Sequence, residues 1–201
     1  MKATYTKPIA AAAIVIIIDQ VVKLWVHSHM YLGERIEFLG SRGMLLYTEN
    51  NGMAFGWELG GQLGKLALTL FRIGAVIGIG YGLWYLIKHK YHRGLIMNMA
   101  LIFAGAVGNI IDSTFYGMIF GYAPVFQGRV IDMFYFPIVR GIFPAWVPIW
   151  GGQDFEFFRP IFNVADSAIS IGVIMILLYQ KRYFKHQEEE VNSPHSEVLE
   201  E

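Results

Sequence analysis

Four windows of this sequence, 8–26, 66–87, 95–111 and 160–179, are each apolar over about the length a helix needs to cross a bilayer, roughly 20 residues. Lipid offers no hydrogen bonds, so an open-ended segment can span it only as a helix that satisfies its own backbone. The chain has 201 residues, 55% of them hydrophobic, with no polar block long enough to build a separate soluble domain. It therefore reads as one membrane domain, 1–186, followed by a polar, unpatterned tail, 187–201, expected to be disordered and cytoplasmic. The expected class is an all-α membrane protein with a small β element.

Four spans put both termini on one side. Lys2 and Lys7 precede the first window, Lys88, Lys90 and Arg93 join the second to the third, and Lys181, Arg182 and Lys185 follow the fourth. Basic residues near span ends mark the cytoplasmic side, so the long connections 31–64 and 113–159 are expected outside, in the periplasm if the host has two membranes. The first window has the lysines of a secretory signal, but Asp19 and Lys23 stand where small residues would precede a cleavage site, so it reads as a retained helix. The first outer connection alternates like strands around Ile36, Phe38 and Met44 to Tyr47 and ends in the turn signal Asn50-Asn51-Gly52. The second carries Tyr116, Tyr122, Phe126, Phe134, Trp146 and Trp150, rings that favour the headgroup region, so it should lie on the bilayer surface. Gly74, Gly78 and Gly82 in span two, and Ala100, Ala104 and Gly108 in span three, form stripes that suggest these two spans pack together.

Composition removes several functions. Net charge is zero, with no basic block in the helices, so nucleic acid is not an expected partner. Cysteine is absent, which excludes a thiolate nucleophile, a thiolate metal site and disulfides. His27 and His29, with Asp154 and Glu156 as conceivable helpers, do not make a metal site, because residues two apart on a helix point to different sides.

Ionisable groups within membrane helices are costly unless paired or hydrated, so each is a functional suspect. Asp19 and Lys23, four apart on one face, read as a structural ion pair. Asn109 and Asp112, three apart at the outer end of span three, read as scaffold for a neighbouring helix or loop, and Arg72 either snorkels or neutralises an acid. Asp132 and Asp166 differ: both fall at the outer boundary in apolar settings without an evident counter-ion. Two carboxyls brought together there would share a proton, one taking a proton from water while the other polarises a peptide carbonyl. Spacing alone leaves open a working pair or two unrelated structural acids.

At these residues the chain resembles the lipoprotein signal peptidases, or signal peptidase II, membrane aspartic proteases of bacteria. The resemblance runs through Asp19 to Lys23, through Asn50-Asn51-Gly52-Met53-Ala54-Phe55, and through Gly105-Ala106-Val107-Gly108-Asn109-Ile110-Ile111-Asp112. It continues in Gly128-Arg129-Val130-Ile131-Asp132 and in Phe162-Asn163-Val164-Ala165-Asp166-Ser167. It implies four transmembrane helices with a periplasmic strand cradle, and cleavage of a prolipoprotein signal peptide just before a diacylglyceryl-modified cysteine. It also implies Asp132 and Asp166 as catalytic groups. Asn50, Asn109 and Asn163 match polar residues near the site, and Asp19, Lys23 and Asp112 match supporting charges. Gly52, Gly105 and Gly108 match close-packed backbone positions, while Ala54, Phe55 and Ala165 fall within the matching blocks. No cofactor or metal is implied, and a monomer is expected.

Two departures stand out. The family commonly has an arginine after Asp112, where this chain has Ser113, so the contact made by that arginine must come from elsewhere, with Arg72 and Arg129 as candidates. The stretch between Asp132 and Asp166 is also longer than usual, suggesting an extra surface loop that either gates or covers the site. Two other classes compete with a protease. A membrane scaffold would tolerate loss of either acid, and a proton-coupled carrier would need paired interrupted helices that the sequence lacks.

Overall fold

The computed structural model describes residues 5–40, 42–51, 61–137, 139–157 and 160–191. Among these, four helices are long and apolar enough to cross a membrane. They are α1 (Thr6–His29), α2 (Gly61–Lys88), α3 (Arg93–Ile111) and a final helix beginning at Val164. The third span does not stop at Ile111: a π-helical turn, Asp112–Tyr116, and a short α4, Gly117–Ile119, carry it on to Ile119. The final helix, α5 (Val164–Val191), starts four residues later than the apolar window suggests, because Ile161 and Phe162 pair as a strand instead. It also runs over 187–191, the first part of the expected tail; 192–201 lie outside the described residues, as do Gly52, Ala54 and Phe55.

The spans are built for lipid. Ile9, Ile14 and Ile17 in α1, Phe71 and Ile77 in α2, and Ile174, Leu177 and Leu178 in α5 are all more than half exposed. Each such side chain would forfeit roughly 1.5–3 kcal/mol of burial in water, but hydrocarbon is as apolar as leucine and removes that penalty.

Two compact units divide the chain, each drawing on several helices: 1–18 with 70–110 and 164–201, and 19–69 with 111–163. In the first, the small-residue seam joins α3 to α5. A Cβ on Gly105 would strike the Ala165 carbonyl oxygen and come within 2.7 Å of Ile169 Cγ1, and one on Gly172 would meet the Asn98 carbonyl oxygen at 2.7 Å. Asn98 donates to the Tyr183 hydroxyl at 3.0 Å within the same seam. Spans two and three do pack together, as the sequence suggests, with Phe103 on Gly80 and Met99 on Gly82, but Gly74 and Gly78 face open space, so the contact does not follow the whole glycine stripe. The closer approach is between α3 and α5, where Gly105 and Gly172 each lie against the other helix's backbone.

The second unit holds an antiparallel sheet. Its strands are β1 (Arg35–Glu37), β2 (Met44–Asn50), β3 (Val130–Tyr135) and β6 (Ile161–Phe162), in the order β1-β2-β3-β6. A separate hairpin pairs β4 (Val139–Ile142) with β5 (Asp154–Phe157). The first outer connection is thus the strand region expected, and the second contributes strands as well as aromatic loops. Leu45 faces Phe134 and Thr48 faces Asp132, so Leu46 and Tyr47 together oppose Met133 in a β-bulge. The bulge resets the alternation of β2, which lets both Met44 and Tyr47 turn inward. Tyr47 then joins Val26, Met30, Tyr116, Ile131 and Met133 in the buried core of this unit.

Substituting Gly105→Ala should destabilise the detergent-solubilised protein by about 1–3 kcal/mol through overpacking against Ala165. Gly74→Ala, with open space around it, should be neutral or stabilising by about 0.5–1 kcal/mol. Thermal unfolding of both variants beside the parent protein measures the difference.

Candidate active site

A three-charge cluster underlies the site. Lys23 Nζ lies 2.8 Å from Asp19 Oδ2 and 2.7 Å from Asp112 Oδ2, and all three side chains are completely buried. Asp19 and Lys23 are one turn apart on α1, as the sequence indicates, but the ammonium also serves a carboxylate from the π turn. Gln20 completes the shell: its amide donates to Asp112 Oδ1 at 3.0 Å and Asp19 Oδ2 at 3.2 Å, and its oxygen accepts the Tyr116 hydroxyl at 3.0 Å. Two carboxylates around one ammonium leave an excess negative charge, so the extra N–H donors are what make burial tolerable.

The cluster reaches the sheet through a backbone bond. Asp112 Oδ2 accepts from the Ile131 amide at 3.3 Å, and Ile131 is the residue before Asp132. A second tie comes from the π turn, whose wider winding leaves carbonyls without helical partners. Ser113 O accepts from the Gly128 amide at 2.8 Å and Thr114 O from the Phe126 amide at 2.9 Å. Residue 128 must be glycine for this approach, since a Cβ there would collide with the Asp112 carbonyl oxygen. The chain is thereby clamped just before β3 begins.

Asp132 projects from β3 beside β2 and is 4% exposed. Asn163 Nδ2 donates to its Oδ1 at 2.7 Å and to the Ile131 carbonyl at 3.3 Å, while Asn50 Nδ2 donates to its Oδ2 at 3.3 Å. Thr48 Oγ1 reaches the Asp132 backbone carbonyl at 3.4 Å. Each carboxylate oxygen therefore has an amide donor from a different strand end, which fixes the orientation of the carboxyl.

Asp166 belongs to the other unit. It sits in the first turn of α5, where the exposed N–H groups of a helix favour negative charge. Asn109 Nδ2 donates to its Oδ1 at 2.8 Å, and Ala165 beside it is fully buried against Gly105. Asn109 and Asp112, expected to share a face, go to different partners. Three residues advance an α-helix to within about 60° of a full circle, enough for Asn109 to reach α5 and Asp112 to reach Lys23.

The structure thus gathers Asp19, Lys23 and Asp112, gathers Asn50, Asp132 and Asn163, and pairs Asn109 with Asp166. Gly108 is buried on α3. Sequence reasoning missed Gln20 and Thr48 and set Tyr116 among the headgroup-facing rings, whereas Tyr116 is buried in the core beside the charge cluster. Gln20 is a polar residue flanked by apolar ones in a membrane span, and Tyr116 lies one turn beyond Asp112, so both signals were present. Ser113 is completely enclosed and its hydroxyl has no hydrogen-bond partner. Arg129 is nearly half exposed, bonds Glu49 Oε2 at 2.9 Å and lies over the Tyr122 ring. Glu49 also accepts the Tyr47 hydroxyl at 2.9 Å. Burial, and then that bond, raises the Tyr47 phenol above its ordinary range, so it stays a donor. Among the described residues no three His, Asp or Glu side chains are grouped to hold a metal ion.

Removing the shared cation should be far worse than removing its amide helper. Lys23→Met would strand two buried carboxylates and cost about 3–5 kcal/mol. Gln20→Leu would leave Asp19, Asp112 and the Tyr116 hydroxyl each one partner short, about 1–3 kcal/mol. Folded yield and thermal midpoint in detergent read both effects, and equal losses would contradict the central place given to Lys23.

Comparison with known proteins agrees with this architecture. A family model described as Signal peptidase (SPase) II matches residues 11–182. A lipoprotein signal peptidase of Porphyromonas gingivalis is 45% identical over 189 residues, taking in 86% of this chain and 82% of the relative. One of Amoebophilus asiaticus is 40% identical over 203 residues, with 94% and 85% covered. Two solved bacterial membrane enzymes, both determined by the in meso method, are similar in fold. One has a TM-score of 0.61 at 28% identity, covering 87% of this chain and 92% of its own. The other has a TM-score of 0.59 at 26% identity, covering 88% of each. With four membrane-capable helices, this is a multi-pass membrane protein, and the chain belongs to the signal peptidase II family of proteases.

Proposed function

We propose that this protein is an aspartic endopeptidase that removes signal peptides from prolipoproteins, cutting before the diacylglyceryl-modified cysteine, with Asp132 and Asp166 as its catalytic pair. The observation that carries the reading is the amide cradle of Asp132, in which Asn163 and Asn50 each hold one carboxylate oxygen. A structural acid in a membrane protein is ordinarily neutralised by a base, as Asp19 and Asp112 are by Lys23. Asp132 has an asparagine amide on each of its oxygens, which holds the carboxyl in one orientation for proton exchange.

In the mechanism, the ionised member of the pair removes a proton from water as the oxygen attacks the peptide carbonyl. The protonated member donates to the carbonyl oxygen, giving a neutral tetrahedral diol. The proton gained from water then passes to the departing nitrogen, the C–N bond breaks, and the diol returns a proton to the other carboxylate. Asn163, Asn50 and Asn109 orient the two carboxyls through these exchanges and carry no proton themselves. The chemistry asks for no cofactor and no metal.

Acyl chains on the substrate cysteine would stay in the bilayer while the peptide reaches the carboxyls, which suits a site at the ends of membrane spans. The basic segments favour both termini on the cytoplasmic side, the site at the periplasmic face of the inner membrane, and residues 1–186 as a single peptidase domain acting as a monomer. Arg129 supplies the exposed cation that Ser113 does not, available to a polar group of the substrate or of surrounding lipid.

Asp132→Asn and Asp166→Asn should each lower cleavage of a lipid-modified precursor by roughly 10²–10⁴-fold or more while the protein still inserts in membranes. Asn163→Ala and Asn109→Ala should lower kcat by about 10²-fold through misplacement. A gel-shift assay in detergent measures all four. A folded aspartate variant that still cleaves at the parental rate would refute the catalytic pair.

A further inference from the structure

The hairpin between β4 and β5 carries a tip that the proposed reaction does not use. From 141 to 153 the sequence has no charged residue, whereas Arg140, Asp154 and Glu156 stand at the base. At the tip Trp146 is 81% exposed, Ile149 86% and Trp150 54%, with Ile142 on the adjoining strand at 64%. The apolar side chains thus point outward from a loop that is not a span. We infer that this tip is a membrane-surface anchor, inserting Trp146 and Ile149 into the headgroup region of the bilayer in which the protein resides.

Three observations favour lipid over water or protein. The loop ties down part of its own backbone: Phe143 N bonds Gln153 O at 2.9 Å, Gly152 N bonds Phe143 O at 2.8 Å, Gly151 N bonds Val147 O at 2.9 Å, and Val147 N bonds Pro144 O at 3.0 Å. Pro144 and Pro148 bring no N–H at all. Entry into a poorly hydrated layer therefore strands fewer polar groups, the condition lipid imposes on any non-helical backbone. Second, the display is built into the fold. Ile149 is held at a φ of +73°, a conformation a β-branched residue resists, and Gly151 sits where a Cβ would meet the Ala145 carbonyl at 2.7 Å. Phe143 packs against Trp150 behind the tip, while Trp146 and Ile149 are left outward. Third, the segment leaves one membrane span at Ile119 and re-enters another at Val164, so its partner surface is one it is already tethered to. Tryptophan beside aliphatic side chains is the composition that interface prefers.

The absence of cysteine permits a direct test with the full chain. Ile149→Cys and, separately, Trp146→Cys carry a nitroxide spin label, with Glu37→Cys on β1 as reference, in phosphatidylethanolamine/phosphatidylglycerol vesicles. At either tip position, collisions with oxygen should exceed those with a water-soluble nickel complex, at a depth of about 5 Å or more below the headgroups. Preferential collision with the nickel complex at both positions would overturn the inference. So would dipolar broadening that disappears on dilution with unlabelled protein, since that outcome puts a second copy of the chain against the tip.

Discussion

The buried ammonium of Lys23 is the point on which the site is built. It holds Asp19 on its own helix and Asp112 on the third span, so a carboxylate at the α-to-π transition is fixed in a place with no solvent. Asp112 in turn takes the Ile131 amide, and the π turn that it opens offers its unused carbonyls to residues 126 and 128. Charge in the membrane is thus spent on locating one strand, and Asp132 is the side chain that strand delivers. Breaking a buried cluster of this kind costs several kcal/mol because the remaining charges lose their compensation. Its stiffness comes from the same source.

The division of labour between charged and neutral partners follows from this. Asp19 and Asp112 share a buried cation, and asparagine amides orient Asp132 and Asp166. An amide can fix the direction of a carboxyl without supplying a positive charge that would hold it permanently ionised. Placing Asn163 immediately before α5 and Asp166 in its first turn lets one short stretch of chain orient one acid and provide the other. The glycines obey a similar logic: residue 105 admits the Ala165 carbonyl and residue 128 admits the Asp112 carbonyl, each where a helix or loop must approach without a side chain between.

Much of this was legible in the sequence. The four spans and the strand region of the first outer connection follow from hydrophobic periodicity and segment length. The pairing of Asp19 with Lys23 is local, one helical turn, and so could be read directly. Asp112 as the second partner of Lys23 could not, because the contact joins residues 89 positions apart, the difference between 112 and 23. The small residues of α3 were visible, yet the approach of α5 at Gly105 was not, since small residues say that a close approach exists without saying to what. Strand β6 was hidden within an apolar window, where Ile161 and Phe162 fit a membrane helix as well as a strand until pairing with β3 decides. The β-bulge at Leu46 and Tyr47 left no mark beyond two inward residues three apart.

If Asp132 and Asp166 form the catalytic pair, water is the attacking group and neither carboxyl becomes acylated. Single-turnover cleavage in water enriched in oxygen-18, with excess enzyme over lipid-modified precursor, tests this most directly. The account predicts one heavy oxygen in the new carboxyl of the released signal peptide from the first turnover, and none in Asp132 or Asp166. A first-turnover product carrying only light oxygen, with the heavy isotope later recovered in either aspartate, would contradict it.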